Sequence, residues 1–342
     1  MKVAINQKVQ AGPWGGGNNF IKAIEQELNA RGHTVVNTLK DGDIDVILLT
    51  DPRFRNPNIS FVAGAISRYL MWRNPKAVAV QRINECDERK NTRSMNARLK
   101  LANYCMDHTI FIASWLKDID LWHNNPGARS SVVLNGGDTS VYHDEGYKPW
   151  DGQEPVKLVT HHWGGNWMKG FDVYQKLDEF IGSQTEGPKV EFTYIGNLPQ
   201  GFEFKHSHHV APLSGVELAT ELRKHHIYLT ASINEPAGMH HIEGALCGMP
   251  LLYRESGGLP EYCNNFGESF NGPDDFQGAL DRMLANYDKW LQSLENYPHT
   301  AEKMAQIYCD TFEKLAANSA NIAQDRKLWR SPLNLLLNQL PI

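Results

Sequence analysis

The sequence predicts an α/β protein of two successive domains, each a parallel sheet covered by helices. Three observations carry that expectation: a length of 342 residues, short β-type runs alternating with amphipathic helical patterns, and a lapse in that alternation between Tyr147 and Pro155. A single domain usually takes ~100–200 residues, so two domains fit better than one large one. Parallel neighbours need a crossover, and a helix is its usual form, so alternation is how a parallel sheet reads in sequence.

In the first half, Lys2–Asn6, Asp45–Thr50, Ala77–Gln81, Thr109–Ala113 and Ser131–Leu134 read as strands. Between the first two, Asn18 to Arg31 sets Phe20, Ile21, Ile24 and Leu28 on one helical face, with Asn18 or Asn19 as cap and Gly32 as stop. The stretch Tyr-Lys-Pro-Trp-Asp-Gly-Gln-Glu-Pro from Tyr147 has two prolines, a glycine and no periodicity, and so reads as a linker. Strand and helix patterns then restart: Lys157–Thr160, a helix Phe171–Ile181, Glu191–Ile195, a helix Val216–Lys224, Ile227–Thr230, and a helix from Gly238 to Cys247. The pattern from Asp274 to Ala317 is helical, and an apolar cluster of Leu333, Leu335, Leu336, Leu337 and Leu340 follows Pro332. The expected organisation is an N-terminal Rossmann-like domain at 1–148, a linker at 149–155, a second Rossmann-like domain at 156–320 and a tail at 321–342. The leucine cluster suits a tail packed on the protein's own surface, with a partner or membrane contact as the alternative use.

Composition narrows the function. A net charge of -5 and a pI near 6.3 supply no basic field for nucleic acid, so none is expected as a partner. The cluster Arg89, Lys90, Arg93, Arg98 and Lys100 reads as a solvated helix face, with anionic lipid or substrate as the other reading. Five cysteines, an odd number without CxxC spacing, point to a reducing cytoplasm rather than a disulfide frame or a zinc site. No apolar run reaches the ~20 residues that cross a bilayer, and Met1–Ile5 enters a strand pattern directly, so the expected location is cytoplasmic, with at most peripheral contact on the inner membrane face. The Asp-x-Asp sequences at Asp41–Asp43 and Asp43–Asp45 precede a strand, and that at Asp118–Asp120 is expected in a helix. Histidine pairs at 161/162, 208/209, 225/226 and 240/241 lack the i, i+4 spacing of a zinc helix. Neither a metal nor a resident cofactor is expected.

The most specific signal is Ser232-Ile-Asn-Glu235-Pro-Ala-Gly238-Met-His-His-Ile-Glu243-Gly-Ala-Leu-Cys-Gly248-Met-Pro250, followed by Ser256-Gly-Gly-Leu-Pro-Glu261. Two glutamates stand eight positions apart across a strand-to-helix turn. Free N–H groups at a helix start suit an anion, and carboxylates suit vicinal hydroxyls, which together match a nucleotide sugar. Spacing alone leaves a second reading open, with Glu235 as a helix-start acid and Glu243 as a solvent-facing residue. The loop Gly12-Pro-Trp-Gly15-Gly16-Gly17-Asn18-Asn19 would let backbone approach a phosphate, but Phe20 stands where a dinucleotide fingerprint wants glycine. That weighs against a nicotinamide oxidoreductase. Arg82-Ile-Asn84-Glu85-Cys86-Asp87-Glu88-Arg89 follows an apolar strand, where α/β ligands bind, although a salt-bridged helix cap explains Asp87 and Arg89 equally well.

These residues resemble the E-x7-E motif of retaining glycosyltransferases with the GT-B fold, in particular glycosyltransferase family 4. The likeness extends over most of the chain, through Asn-Ala-Arg-Gly-His33-Thr-Val, Ile112-Ala-Ser114-Trp-Leu-Lys, Asn135-Gly-Gly-Asp138, Trp167-Met-Lys169-Gly170 and Tyr194-Ile-Gly196-Asn. The resemblance implies two Rossmann-like domains facing across a cleft, with the C-terminal helix crossing back to the N-terminal domain. It implies retaining transfer of a hexose from a nucleotide diphosphate sugar to a hydroxyl of a glycan, lipid or glycoprotein glycan, without a metal. Glu243 would bind the donor ribose and Glu235 a hydroxyl of the transferred sugar. Lys169 would hold the diphosphate, with the backbone of Ala237, Gly238 and Met239 beside it. Gly16 and Gly17 would lie near the diphosphate and acceptor, Val210 in the backbone of the base pocket, and Arg82, Asn84 and Asp87 on the acceptor side.

Two departures stand out. The arginine usual about five positions before the lysine is missing, leaving His162 or Asn166 in its stead, and the family's E-G-F-G reads Glu235-Pro-Ala-Gly. A protein that keeps a nucleotide-sugar site without turnover is the alternative function. Double displacement through a carboxylate is the alternative chemistry.

Overall fold

The computed structural model describes residues 1–10, 16–123, 128–185 and 189–340. These divide into two compact units, Met1–Asn135 with Ala301–Ile342, and Gly136–Thr300.

The first unit is built on a six-stranded, all-parallel sheet of order β2-β1-β3-β4-β5-β6. Its strands are β1 (Lys2–Ile5), β2 (Thr34–Val36), β3 (Val46–Leu49), β4 (Val78–Ile83), β5 (His108–Phe111) and β6 (Ser130–Val132). Every residue of β3 and β4 is buried, as a parallel strand covered on both faces must be. Helix α1 (Gly16–Ala30) buries Phe20, Ile21, Ile24 and Leu28, the stripe expected from their spacing. It starts before Asn18, whose side chain exchanges two hydrogen bonds with the backbone of Gln10. Helices α2 (Ala63–Trp72) and α3 (Met95–Asn103) complete the crossovers.

The second unit repeats the scheme, with sheet order β12-β11-β10-β7-β8-β9, all parallel. Its strands are β7 (Val156–His162), β8 (Val190–Gly196), β9 (His208–Val210), β10 (Ile227–Thr230), β11 (Leu251–Arg254) and β12 (Gly267–Phe270). Helices α4 (Phe171–Ser183), α5 (Gly215–Leu222), α6 (His240–Leu246), α7 (Leu259–Cys263), α8 (Phe276–Ala285) and α9 (Tyr287–Ser293) connect and cover them. Counted within this unit the order is 3-2-1-4-5-6, the doubly wound arrangement. Its topological switch point lies between β7 and β10.

The chain then returns. Helix α10 (Ala301–Ala317) buries Met304, Tyr308 and Phe312 in one cluster with Phe20, Ile24 and Leu28. Helices α11 (Ser319–Asp325) and α12 (Pro332–Leu337) follow it. Leu328 and Leu335 join Ile66, Tyr69 and Leu70 in a second cluster of the first unit, while Leu333, Leu336 and Leu340 stay exposed. The buried pair of Arg326 with Asp107 at 2.7 Å fastens the same segment.

The unit boundaries lie elsewhere than the composition suggests. Residues 136–155 belong to the second unit, where the Tyr147 hydroxyl meets Tyr287 Oη at 2.7 Å and donates to the His226 carbonyl at 3.0 Å. Residues 301–320 belong to the first, because the apolar face of α10 matches that of α1. A proline-rich stretch marks irregular backbone, not the place where contacts cease.

Candidate functional site

In a doubly wound sheet the loops beyond the strand carboxyl ends diverge at the switch point, and a ligand can enter there. In the second unit the loops leaving β7 and β10 carry Lys169 and Glu235. The Lys169 Nζ donates to Glu235 Oε2 at 2.5 Å, with Glu235 2% and Lys169 12% exposed by side chain. The backbone explains why residues 66 positions apart meet. Asn166 accepts from the Met168 N–H and opens a turn of 3-10 helix, Trp167–Lys169, that ends at Gly170 with φ 101°. A Cβ on Gly170 would stand 2.6 Å from the Ala231 backbone, so only glycine admits this approach. The Ile233 N–H then donates to the Met168 carbonyl at 2.8 Å, and Gly258 N–H to the Glu235 carbonyl at 2.8 Å. Asn234, between them, is a non-glycine residue at φ 50°, a costly conformation of the kind that clusters at functional turns.

Gly238 and Met239 lead into α6, and their N–H groups find no acceptor among the described residues. Beneath this turn lies His240, buried, its Nε2 2.8 Å from Thr230 Oγ1. Burial, and then the neighbouring His162, His241, Lys169 and His161, hold the His240 pKa well below its ordinary value. Ala237 is buried at the same turn.

Glu243 faces inward, 8% exposed, which removes the reading of it as a solvent-facing helix residue. His161, at the carboxyl end of β7, brings its Nε2 to 2.7 Å from Glu243 Oε2, and its Nδ1 lies 3.0 Å from the Tyr228 hydroxyl. Neither His161 nor Tyr228 stands out in the sequence. They lie 82 and 15 residues from Glu243, with no motif spacing between them. The only available signal was strand adjacency, since β7 and β10 are neighbours in the sheet.

Other expected residues fare differently. His162 is buried with its Nε2 3.1 Å from Tyr174 Oη, and the Asn166 side chain is the turn cap, so neither stands as the missing arginine. Val210 ends β9, paired with Ile195, and the adjacent His209 donates through Nε2 to the Gly196 carbonyl at 2.8 Å.

In the first unit Gly16 and Gly17 open α1, whereas Gly12 and Gly15 lie outside the described residues. Arg82 is inside β4, which runs two residues past the expected end at Gln81. It is buried over the Phe20 ring, 3.9 Å from its centroid, and donates to Asn135 Oδ1 at 2.9 Å. Asn84 is half-buried just beyond. Asp87 organises the start of α3, accepting from Thr92 Oγ1 and from the N–H groups of Ser94, Met95 and Asn96 at 3.1, 2.9 and 3.0 Å. Burial alone would raise its pKa, but the Thr92 hydroxyl and these N–H groups prevail and hold it below the usual carboxylate range. Arg89 pairs with Glu85 at 3.1 Å. The cap reading therefore describes Asp87, and an acceptor role would compete with its hydrogen bonds to α3.

Among the described residues no cluster of three His, Cys, Asp or Glu side chains is arranged to hold a metal ion. Asp41 and Asp43 both bind Lys2 Nζ, and Asp120, which lies beyond the 3-10 turn Ser114–Asp118 and not in a helix, pairs with Lys100. All five cysteines are free and buried, and no described helix is long and apolar enough to cross a membrane.

Neither a protein-family model nor a curated protein sequence matches this chain. Solved structures do. HepE from Anabaena in complex with UDP superposes with a TM-score of 0.66 at 12% identity, over 92% of this chain and 100% of that one. Sucrose-phosphate synthase from Thermosynechococcus elongatus gives 0.61 at 13% identity, over 93% and 99%. AviGT4, a glycosyltransferase involved in avilamycin A biosynthesis, gives 0.59 at 14% identity, over 93% and 98%. At such identities the likeness shows the fold, and the fold is the GT-B α/β architecture expected from the motifs.

Proposed function

We propose that this chain is a retaining glycosyltransferase that moves a hexose from a nucleotide diphosphate sugar to a hydroxyl of a glycan, lipid or glycoprotein glycan, without a metal ion. One observation carries the reading: the Lys169 ammonium pairs with the buried Glu235 carboxylate at the switch point of a doubly wound unit, and Glu243, also turned inward, is tied to His161 at the carboxyl end of β7. Support also comes from structural neighbours, one of them a glycosyltransferase involved in avilamycin A biosynthesis and another solved with UDP-glucose.

In this reading the bond from the sugar's anomeric carbon to the diphosphate oxygen breaks, and negative charge grows on the leaving group. Lys169 stabilises that charge from a largely buried position, where electrostatic interactions are stronger than in water. Glu235 accepts a hydroxyl of the transferred sugar, and Glu243 the ribose. The departing oxygen takes the acceptor's proton on the face that the acceptor attacks, so no protein nucleophile is needed. Free, buried cysteines fit a cytoplasmic location, from which contact with the inner membrane face would reach a lipid-linked acceptor.

The test is a thermal-shift screen of nucleotide sugars, followed by proton NMR of the product formed with an acceptor panel. A stabilising donor and a product with the donor's anomeric configuration are expected. An inverted product would contradict both same-face transfer and double displacement. Donor binding without release of nucleoside diphosphate to any acceptor would leave only a nucleotide-sugar-binding protein.

A further inference from the structure

We infer that His161 and Tyr228 are positioning residues that fix the Glu243 carboxylate for the ribose of the donor, an inference that rests on the proposed donor site. The Tyr228 hydroxyl receives the His161 backbone N–H at 3.0 Å and lies 3.0 Å from His161 Nδ1. A phenol has one hydrogen to give, and here it faces an imidazole nitrogen able to accept it. That sets the tautomer: Nδ1 accepts, and Nε2 carries the proton toward Glu243 Oε2, 2.7 Å away. The bond from Nε2 is charge-assisted and short.

Its geometry is built into the sheet. Tyr228 is fully buried on β10, and α6 rests on its ring at Gly244, where a Cβ would stand 2.2 Å from a ring carbon. Glu243, the preceding residue, is thereby held at a set height above the ends of β7 and β10. One carboxylate oxygen is tied to His161, while Oε1 has no hydrogen-bond partner among the described residues. An oxygen that is held in place but unoccupied is ready to receive a sugar hydroxyl without first losing rotamer freedom, and such preorganisation strengthens binding.

The test measures selectivity for the ribose hydroxyls, which a purely structural role would not alter. ADP, CDP, GDP and UDP are titrated calorimetrically against the full chain, and the tightest binder is compared with its 2′-deoxy and 3′-deoxy forms. Wild type is expected to prefer the ribonucleotide over one of the deoxy forms by about 10- to 100-fold, the scale of a lost hydrogen bond in a built polar site. Glu243→Gln and His161→Ala should each reduce that preference to within about 3-fold while changing affinity for the deoxy form little. His161→Gln, whose Nε2 takes nearly the same place, should restore most of it, and the double variant His161→Ala/Glu243→Gln should lose no more than Glu243→Gln alone. Tyr228→Phe, free to populate the other tautomer, should fall between; with His161→Gln it decides the matter if His161→Ala does not fold. Wild-type selectivity in the His161 and Tyr228 variants, beside its loss in Glu243→Gln, would overturn the inference alone. Wild-type selectivity in Glu243→Gln, or no binding of any of the four nucleotides, would overturn the donor site itself.

Discussion

Lys169 and Asp87 show how one kind of contact serves two ends. The Lys169–Glu235 pair is largely removed from water, so removing one partner strands a charge, at a cost of about 3–5 kcal/mol. Lys169→Met is expected to lower the melting temperature and, with the leaving diphosphate no longer matched, to reduce turnover by about 10²- to 10³-fold at saturating donor. Steady-state kinetics on the folded fraction check this. Asp87 spends its oxygens on α3, so Asp87→Ala should cost about 2 kcal/mol in urea unfolding and leave donor affinity unchanged. Lys169, Glu235 and Glu243 were legible because their order along the chain matches a motif. His161 was not, because a contact across 82 residues leaves no local spacing. Arg82 was misplaced for a nearer reason. A polar residue at the end of an apolar run reads as loop, whereas inside β4 the buried guanidinium lies over the Phe20 face and donates to Asn135.

At the scale of elements, the register of α6 on β10 decides where Glu243 stands. Gly244→Ala introduces a methyl group into the Tyr228 ring, so α6 must shift outward. The expected cost is about 1–3 kcal/mol of overpacking in thermal or urea unfolding, together with weaker nucleoside diphosphate binding by calorimetry. Unchanged affinity in a destabilised variant would separate helix register from ribose contact. Helices with a clean apolar stripe, such as α1, were readable from periodicity alone, and so were the fully apolar strands. The α6 turn was readable only in outline. Pro236 and Gly238 announce it, but the tie from Ile233 to Met168 that brings it to Lys169 is a backbone bond and has no sequence signature.

For the whole molecule, two α/β units follow from length and alternation, while a return of 321–342 to the first unit follows only from the family resemblance, and that of 301–320 was not legible at all. Helical periodicity says that α10 has an apolar face; it does not name the surface that covers it. Buried imidazoles set the pH response. Burial pushes the pKa of His241 down to about 3 and those of His108 and His225 to about 4, with smaller contributions from nearby charges. The unfolded chain therefore takes up protons near pH 6.5 that the folded chain refuses, and each such histidine lowers stability by up to about 1.4 kcal/mol per pH unit as the pH falls from there. The melting temperature should decline from about pH 6.5 toward pH 4, and a flat profile across that range would show that these rings charge in the native state.

The donor site is tested most directly by calorimetric titration of wild type, Glu235→Gln and Glu243→Gln with the stabilising nucleotide sugar and with its nucleoside diphosphate. Glu243→Gln should weaken both ligands alike, since both carry the ribose, whereas Glu235→Gln should weaken the nucleotide sugar and leave the diphosphate unaffected. Wild-type affinities in both variants would contradict the site.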